Sequence, residues 1–121
     1  MINLNVSVTR PSTATALATV SGEVDVATTP QLRSTLHELA DDESVRTVIV
    51  DLDGVDFIDS SGLGVLIGCA RRLRSRGDGR ELRLVCSRVN LLRVFEITGL
   101  DGVFPMHATV ADALDADASK T

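Results

Sequence analysis

Ile2, Leu4, Val6 and Val8 alternate with Asn3, Asn5, Ser7 and Thr9. A period of two predicts a strand with one buried and one solvated face. Arg10-Pro11-Ser12-Thr13 is turn material, and residues 15–21, with Leu17, Val20 and small side chains, predict a second strand antiparallel to the first. Gly22-Glu23-Val24-Asp25-Val26 leads out of it. Thr29 followed by Pro30 reads as an N-cap and a first helical residue. Leu32, Leu36, Leu39 and Ala40 then mark the i, i+4, i+7, i+8 stripe of an amphipathic helix that stops at Asp41-Asp42.

The run Val48-Ile49-Val50, within residues 45–52, is continuous rather than alternating, which predicts a central strand covered on both faces. Asp53-Gly54 reads as a turn, followed by the apolar Val55, Phe57 and Ile58. A second helix is expected over residues 63–74, with Leu63, Leu66, Ile67, Ala70 and Leu73 on one face. Arg71, Arg72, Arg74 and Arg76 crowd its end, where cations suit the helix dipole. Gly77-Asp78-Gly79 breaks the chain, and Leu82, Leu84 and Cys86 set up an alternating strand. Ser87 is the expected cap of a third helix to Thr98 that carries Leu91, Leu92 and Phe95 and closes on Gly99. Residues 103–107 predict a short strand, at an edge because of Pro105. Thr109-Val110-Ala111-Asp112 opens a last helix in the manner of a capping box. The order β-β-α-β-α-β-α-β-α predicts an α/β fold: a single domain over 1–114 with a mixed, mostly parallel five-stranded sheet and about four helices. Right-handed crossovers follow the opening hairpin. Residues 115–121 read as a flexible C-terminal tail.

With 121 residues the chain builds one core, and 44% hydrophobic with 24% charged residues is ordinary for a soluble domain. The net charge of −5 argues against general nucleic-acid affinity, and no Trp or Tyr is present to stack on bases. No apolar run approaches the ~20 residues of a membrane span. Met1-Ile2-Asn3-Leu4 lacks the basic start of a signal peptide, so a cytoplasmic location is expected. Cys69 and Cys86 fit that compartment as small buried hydrophobes. Lys120 is the only lysine, which leaves no phosphate-binding G-x-x-x-x-G-K-[ST] loop. A dinucleotide fingerprint from Gly62 fails at Ile67, and a G-x-S-x-G hydrolase elbow fails at Ile58. His37 and His107 read as surface or partly packed residues. Asp51, Asp53, Asp56 and Asp59 do not form a calcium loop, because Val55 stands where an oxygen ligand is needed. A response-regulator receiver fails as well, since the first strand ends in Thr9-Arg10 and the late lysine is missing. Arg71, Arg72, Arg74, Arg76, Arg80, Arg83, Arg88 and Arg93 share one stretch: either a solvated helix end and turn, or a basic patch for an acidic partner.

One segment remains, Asp59-Ser60-Ser61-Gly62-Leu63-Gly64. Asp and Ser cap helix N-termini through side-chain oxygens that accept from unpaired backbone N–H groups. Two glycines so early in a helix cost up to about 1 kcal/mol each relative to alanine, which fits either a close approach by another backbone or a partner, or tolerance near a frayed helix start. Hydroxyls at the positive end of a helix can carry a phosphate. On residue types alone, a plain helix cap fits as well.

The stretch Phe57-Ile58-Asp59-Ser60-Ser61-Gly62-Leu63-Gly64-Val65 resembles the signature of the STAS domain of bacterial anti-sigma factor antagonists. Gly22-Glu23-Val24-Asp25 and the late Leu92-Arg93-Val94-Phe95-Glu96-Ile97-Thr98-Gly99-Leu100 resemble two further motifs of that family, in the same order along nearly the whole chain. The resemblance implies a phospho-switch in stress-responsive transcription regulation that acts by binding, with no catalytic residue, metal or cofactor of its own. Ser60 is the implied phosphoacceptor, with Ser61 the second choice. The implied partners are an anti-sigma factor with an ATP-binding serine kinase domain and a phosphoserine phosphatase, with no direct contact to nucleic acid or membrane. The unphosphorylated form would bind the kinase and free the sigma factor, and phosphorylation would end that. The implied partner surface is Asp25, Asp59, Ser61, Gly62, Leu63 and Gly64, the glycines admitting the partner's backbone and Leu63, if exposed, anchoring it. The alternative is a STAS docking module of a stress-signalling scaffold or lipid-transport complex, without a switch. A small enzyme with Ser60 as nucleophile lacks a base beside it in sequence.

Overall fold

The opening hairpin runs Leu4–Thr9 (β1) to Thr15–Val24 (β2), antiparallel, with Val6 opposite Val20. The structure, a computed structural model, describes residues 4–77 and 79–116. Ile2 of the first predicted strand, Asp78, Lys120 and residues 117–121 of the predicted tail lie outside them. The chain continues through α1 (Thr29–Asp41), β3 (Thr47–Ile58), α2 (Ser60–Ser75), β4 (Glu81–Val85), α3 (Val89–Thr98), a 3-10 turn (Leu100–Gly102), β5 (Met106–His107) and α4 (Val110–Asp115). Among the described residues this makes one five-stranded sheet, ordered β1-β2-β3-β4-β5 and parallel from β2 onward. α4 therefore includes Asp115, the first residue of the expected tail.

That strand order decides the layers. Each crossover steps in the same direction, so right-handed connections place α1, α2 and α3 on one face of the sheet. Val48, Val50, Leu52, Leu82 and Leu84 meet Leu36, Leu66 and Phe95 there in the main core. The alternate positions Ile49 and Val85 point the other way and pack with Ala113 and Val110 of α4. The continuous apolar run of β3 is thus covered on both sides, as its composition requires.

Several local expectations change in the tertiary context. Asp53-Gly54 is not a turn: β3 runs on to Ile58, and Gly54 pairs with Ser21 beyond an irregularity in the β2–β3 ladder. A Cβ on Gly54 would lie 2.8 Å from Ser21 Cβ and 3.0 Å from the Val20 carbonyl oxygen, so the glycine serves a close backbone approach rather than a bend. β2 likewise extends through Val24 instead of leaving the sheet at Gly22. The α1 cap is Thr28, not Thr29, and Thr29 is a buried helical residue. Arg88 rather than Ser87 precedes α3; Ser87 Oγ donates to Asp53 instead, at 3.0 Å. β5 is two residues long and excludes Val103, Phe104 and Pro105, although the Pro105 carbonyl still accepts from Leu84 N–H at 3.0 Å. Gly99 closes α3 at φ 77° as the sequence indicates, and Thr109 Oγ1 accepts from Asp112 N–H at 3.1 Å, the N-cap half of the expected capping box.

The arginine-rich stretch disperses in space. Arg72 and Arg76 both reach Asp41 at the end of α1, at 2.7–2.8 Å, which ties the two helices at their ends. The Arg80 guanidinium donates to the carbonyls of Val45 and Glu43 at 2.6 and 2.8 Å and fixes the α1–β3 loop. Arg83 is only 2% exposed, held between Glu81 and the Ala113 carbonyl of α4. Arg88 donates to Val55 O and Asp56. The four aspartates of β3 and its exit serve separate neighbours: Asp51 accepts from Asp53 N–H, Asp53 from Ser87, Asp56 from Arg88, and Asp59 caps α2.

Candidate functional site

β3 passes into α2 with one residue between them. Asp59 N–H donates to the Val24 carbonyl at 3.1 Å, which fastens the turn to the end of β2, and Asp59 O accepts the first helical N–H, from Leu63, at 3.1 Å. The Asp59 carboxylate turns back over the helix start. Its Oδ1 accepts from Ser61 N–H at 2.9 Å, Gly62 N–H at 3.1 Å and the Ser61 hydroxyl at 2.5 Å. The Ser61 hydroxyl, with the Gly62, Ser61 and Val26 amides, holds its pKa below the ordinary 3.8, so the group is ionised at neutral pH. This is N-capping in full: a charged acceptor on the orphan donors of the first turn, favoured by the helix dipole.

The two serines are thereby made unlike. Ser61 is half-buried, its hydroxyl committed to Asp59. Ser60 is exposed, and its hydroxyl has no hydrogen-bond partner among the described residues. A free primary hydroxyl therefore projects from the first turn of a well-capped helix.

The glycines also divide. A Cβ on Gly62 would fall 2.6 Å from Val24 Cγ1 and 2.7 Å from Ile58 Cγ1, so this glycine lets the helix start seat on β2 and β3. It is buried and offers nothing to a partner. Gly64 faces outward with nothing within 4 Å of its Cβ position. Leu63, expected as an anchor if exposed, is 8% exposed and belongs to the core. The expected partner surface therefore loses Gly62 and Leu63, because both sit on the side of α2 that faces the sheet.

Asp25 sits in the loop joining β2 to α1. Its Oδ1 accepts from Ala27 N–H at 2.9 Å and Thr28 N–H at 3.1 Å, and Thr28 Oγ1 donates back to Glu23 O at 2.8 Å. The contribution of the Val26 amide to Asp59 brings this loop against the start of α2. Asp25 and Asp59 thus lie in adjoining turns, each organising its own backbone. Apolar surface that the sequence did not single out stands in and beside these turns: Val26 is 76% and Phe57 47% exposed, with Val89 at the start of α3 also exposed. Phe57 pairs with Glu23 on the strand leading into the Asp25 loop. Their exposure had no local signal, since apolar residues near strand ends read as core.

Cys69 and Cys86 are free and buried. Burial pushes the Cys69 thiol up to about 12 and also raises that of Cys86, which suppresses thiolate chemistry. Among the described residues, no helix is long and apolar enough to cross a membrane.

Comparison with known proteins places this geometry among relatives. A family model described as the STAS domain matches residues 6–113. The chain is 33% identical over 107 residues to the anti-sigma-B factor antagonist of Bacillus subtilis, an alignment spanning 88% of this chain and 94% of that protein. An anti-sigma factor antagonist from Mycobacterium paratuberculosis, 29% identical, superposes with a TM-score of 0.86 over 94% of this chain and 93% of its own. The anti-sigma factor antagonist SpoIIAA in its unphosphorylated form gives a TM-score of 0.80 at 25% identity, over 95% and 97% of the two chains.

Proposed function

Because this chain belongs to the STAS-domain family, we propose that it is an anti-sigma factor antagonist whose binding is switched by phosphorylation of Ser60. The observation that carries the choice of residue is the contrast at the start of α2: Ser60 is exposed with a free hydroxyl, while the Ser61 hydroxyl is engaged by Asp59. A kinase needs the acceptor oxygen accessible and undistracted, and Ser60 meets that condition. The partner is an anti-sigma factor carrying an ATP-binding serine kinase domain, a phosphoserine phosphatase resets the switch, and the exchange takes place in the cytoplasm. The chain itself contributes a binding surface and an acceptor, and the kinase supplies the catalytic groups.

The electrostatics favour release over refolding. A phosphoserine adds about −1.5 to −2 charge. The α2 N-terminus would ordinarily absorb such charge, but Asp59 already occupies the Ser61 and Gly62 amides. The new charge therefore stands beside an existing carboxylate and projects into whatever covers Ser60. In an interface that means like-charge repulsion and desolvation on the partner's side, with the capped helix left in place. Gly64 lies next to it as an open backbone position, and Val26 and Phe57 provide the apolar contact that Leu63 does not.

The test is an affinity pull-down from host lysate with ADP or ATP, followed by intact-mass and peptide analysis. The expected result is capture of an ATP-binding anti-sigma factor, release with ATP, and phosphate on Ser60. Ser60→Ala is expected to stay bound in ATP, and Ser61→Ala to remain a substrate. Release of Ser60→Ala as fast as wild type would refute the switch. Capture of scaffold or lipid-transport components without phosphate would replace it with constitutive docking.

A further inference from the structure

The middle of α2 carries a second surface, well removed from Ser60. Ile67, Ala70, Arg71 and Arg74 face Leu100 and Val103 of the turn after α3 across a groove of about 270 Å³. Positions 67, 70, 71 and 74 follow i, i+3, i+4, i+7 spacing and so share one side of the helix. At 1.5 Å per residue, Ile67 is about 10 Å and Arg74 about 21 Å along the axis from Ser60. The floor is apolar, and Val103 at the rim is 45% exposed.

We propose that this groove docks an acidic amphipathic segment of a partner protein, one or two of its aliphatic side chains in the slot and its carboxylates on Arg71 and Arg74. Charge complementarity selects the occupant. Arg72, on the neighbouring side of α2, and Arg76, just past its end, are held by Asp41. Arg71 and Arg74 have no ion pair or hydrogen bond among the described residues, and Asp101 on the 3-10 turn pairs with neither. Two unneutralised guanidinium groups, spaced one helical turn apart, thus overhang an apolar floor on a chain of net charge −5. Their methylene stems extend the apolar wall, and their forks match carboxylates. The groove is smaller than the ~300 Å³ at which small-molecule pockets begin, which suits a few side chains better than a cofactor. An anionic membrane is the poorer occupant, because lipid-binding patches gather about 4–8 basic residues and the rest of this chain is acidic. This site does not depend on the state of Ser60 and would hold a partner in either form.

The experiment is selection of a random displayed peptide library on the full chain, counter-selected on an Arg71→Glu/Arg74→Glu variant whose thermal transition matches wild type. Enriched peptides are expected to combine Asp or Glu with aliphatic residues at helical spacing. The double variant is expected to bind them about tenfold or more weakly, and Ser60→Asp to bind them as wild type does. Val103→Gln, which leaves both charges and removes part of the apolar wall, is expected to weaken binding in the same direction. The proposal is overturned by no enrichment, by enrichment of neutral or basic sequences, or by equal binding to the double variant. Co-sedimentation with phosphatidylglycerol vesicles that the double variant loses would also overturn it, reassigning the groove to a membrane surface.

Discussion

Gly62 and Gly64 lie two residues apart in the same helix, yet alanine is expected to have opposite effects at the two positions. At Gly62 a methyl would lie 2.6 Å from Val24 Cγ1, 2.7 Å from Ile58 Cγ1 and 3.1 Å from Ile58 Cδ1. Carbon contacts are comfortable at about 3.5–4.0 Å, so the overlap is about 1 Å against two neighbours. Val24 and Ile58 are both buried and β-branched, with little rotamer freedom to yield. Overpacking of this kind costs about 1–3 kcal/mol, and the helix-propensity gain of up to about 1 kcal/mol offsets part of it. With the full propensity gain, Gly62→Ala is therefore expected to lose up to about 2 kcal/mol. Gly64→Ala, with nothing within 4 Å, is expected to gain about 0.5–1 kcal/mol. Urea titrations followed by circular dichroism at constant m resolve a gap of this size, which corresponds to a Tm change of about 4 °C per kcal/mol. If Gly62→Ala proves as stable as Gly64→Ala, the close seating of α2 on β2 and β3 is wrong, and with it the exclusion of Gly62 from the partner surface.

Arg83→Leu removes the donor to the Ala113 carbonyl, and is expected to cost about 2 kcal/mol and to speed amide exchange in α4 (Val110–Asp115) more than in α1 and α2. Unchanged exchange in α4 would mean that Arg83 does not anchor it. Asp59 has a folded pKa below its ordinary 3.8, so its contribution to stability is complete above that value and lost as pH falls through the lower folded value. Asp59→Asn is accordingly expected to flatten the acid limb of urea midpoints below about pH 4, and an unaltered limb would count against the cap's ionic character. Cys69 and Cys86 are expected to react with a thiol-specific disulfide reagent at neutral pH only as fast as the protein opens. Rapid stoichiometric labelling of the native chain would contradict their burial.

Signals set within a turn or two of chain were legible. The stripe Leu32-Leu36-Leu39-Ala40, the Gly99 terminus, the Thr109 cap and Asp-Ser-Ser as a helix start each act through neighbours the sequence displays. The continuous apolar run of β3 likewise announced a strand covered on both faces. The resemblance of the motifs then pointed to Ser60, though nothing local separates its hydroxyl from that of Ser61.

What the sequence could not decide depends on groups far away along the chain. Asp53-Gly54 has turn composition, but pairing with β2 keeps it in a strand. Arg83 alternates with Leu82 and Leu84 and so reads as solvent-facing, until α4, some thirty residues later, covers that face. Of the eight arginines crowded into one stretch of sequence, Arg72, Arg76 and Arg88 enter ion pairs, Arg80 clamps a loop, Arg83 is a buried anchor, and Arg71 and Arg74 line an apolar groove. The apolar face of α2 was legible, since Leu63, Leu66, Ala70 and Leu73 are buried together and Ile67 packs against them. Gly62, Val65 and Cys69 widen the buried arc, and seating it on the sheet leaves Leu63 unavailable as the exposed anchor that the resemblance implied. Sequence determined which segments form and what chemistry they carry. Only tertiary packing determined which side of each segment remains for a partner, because that depends on surfaces contributed by the rest of the chain.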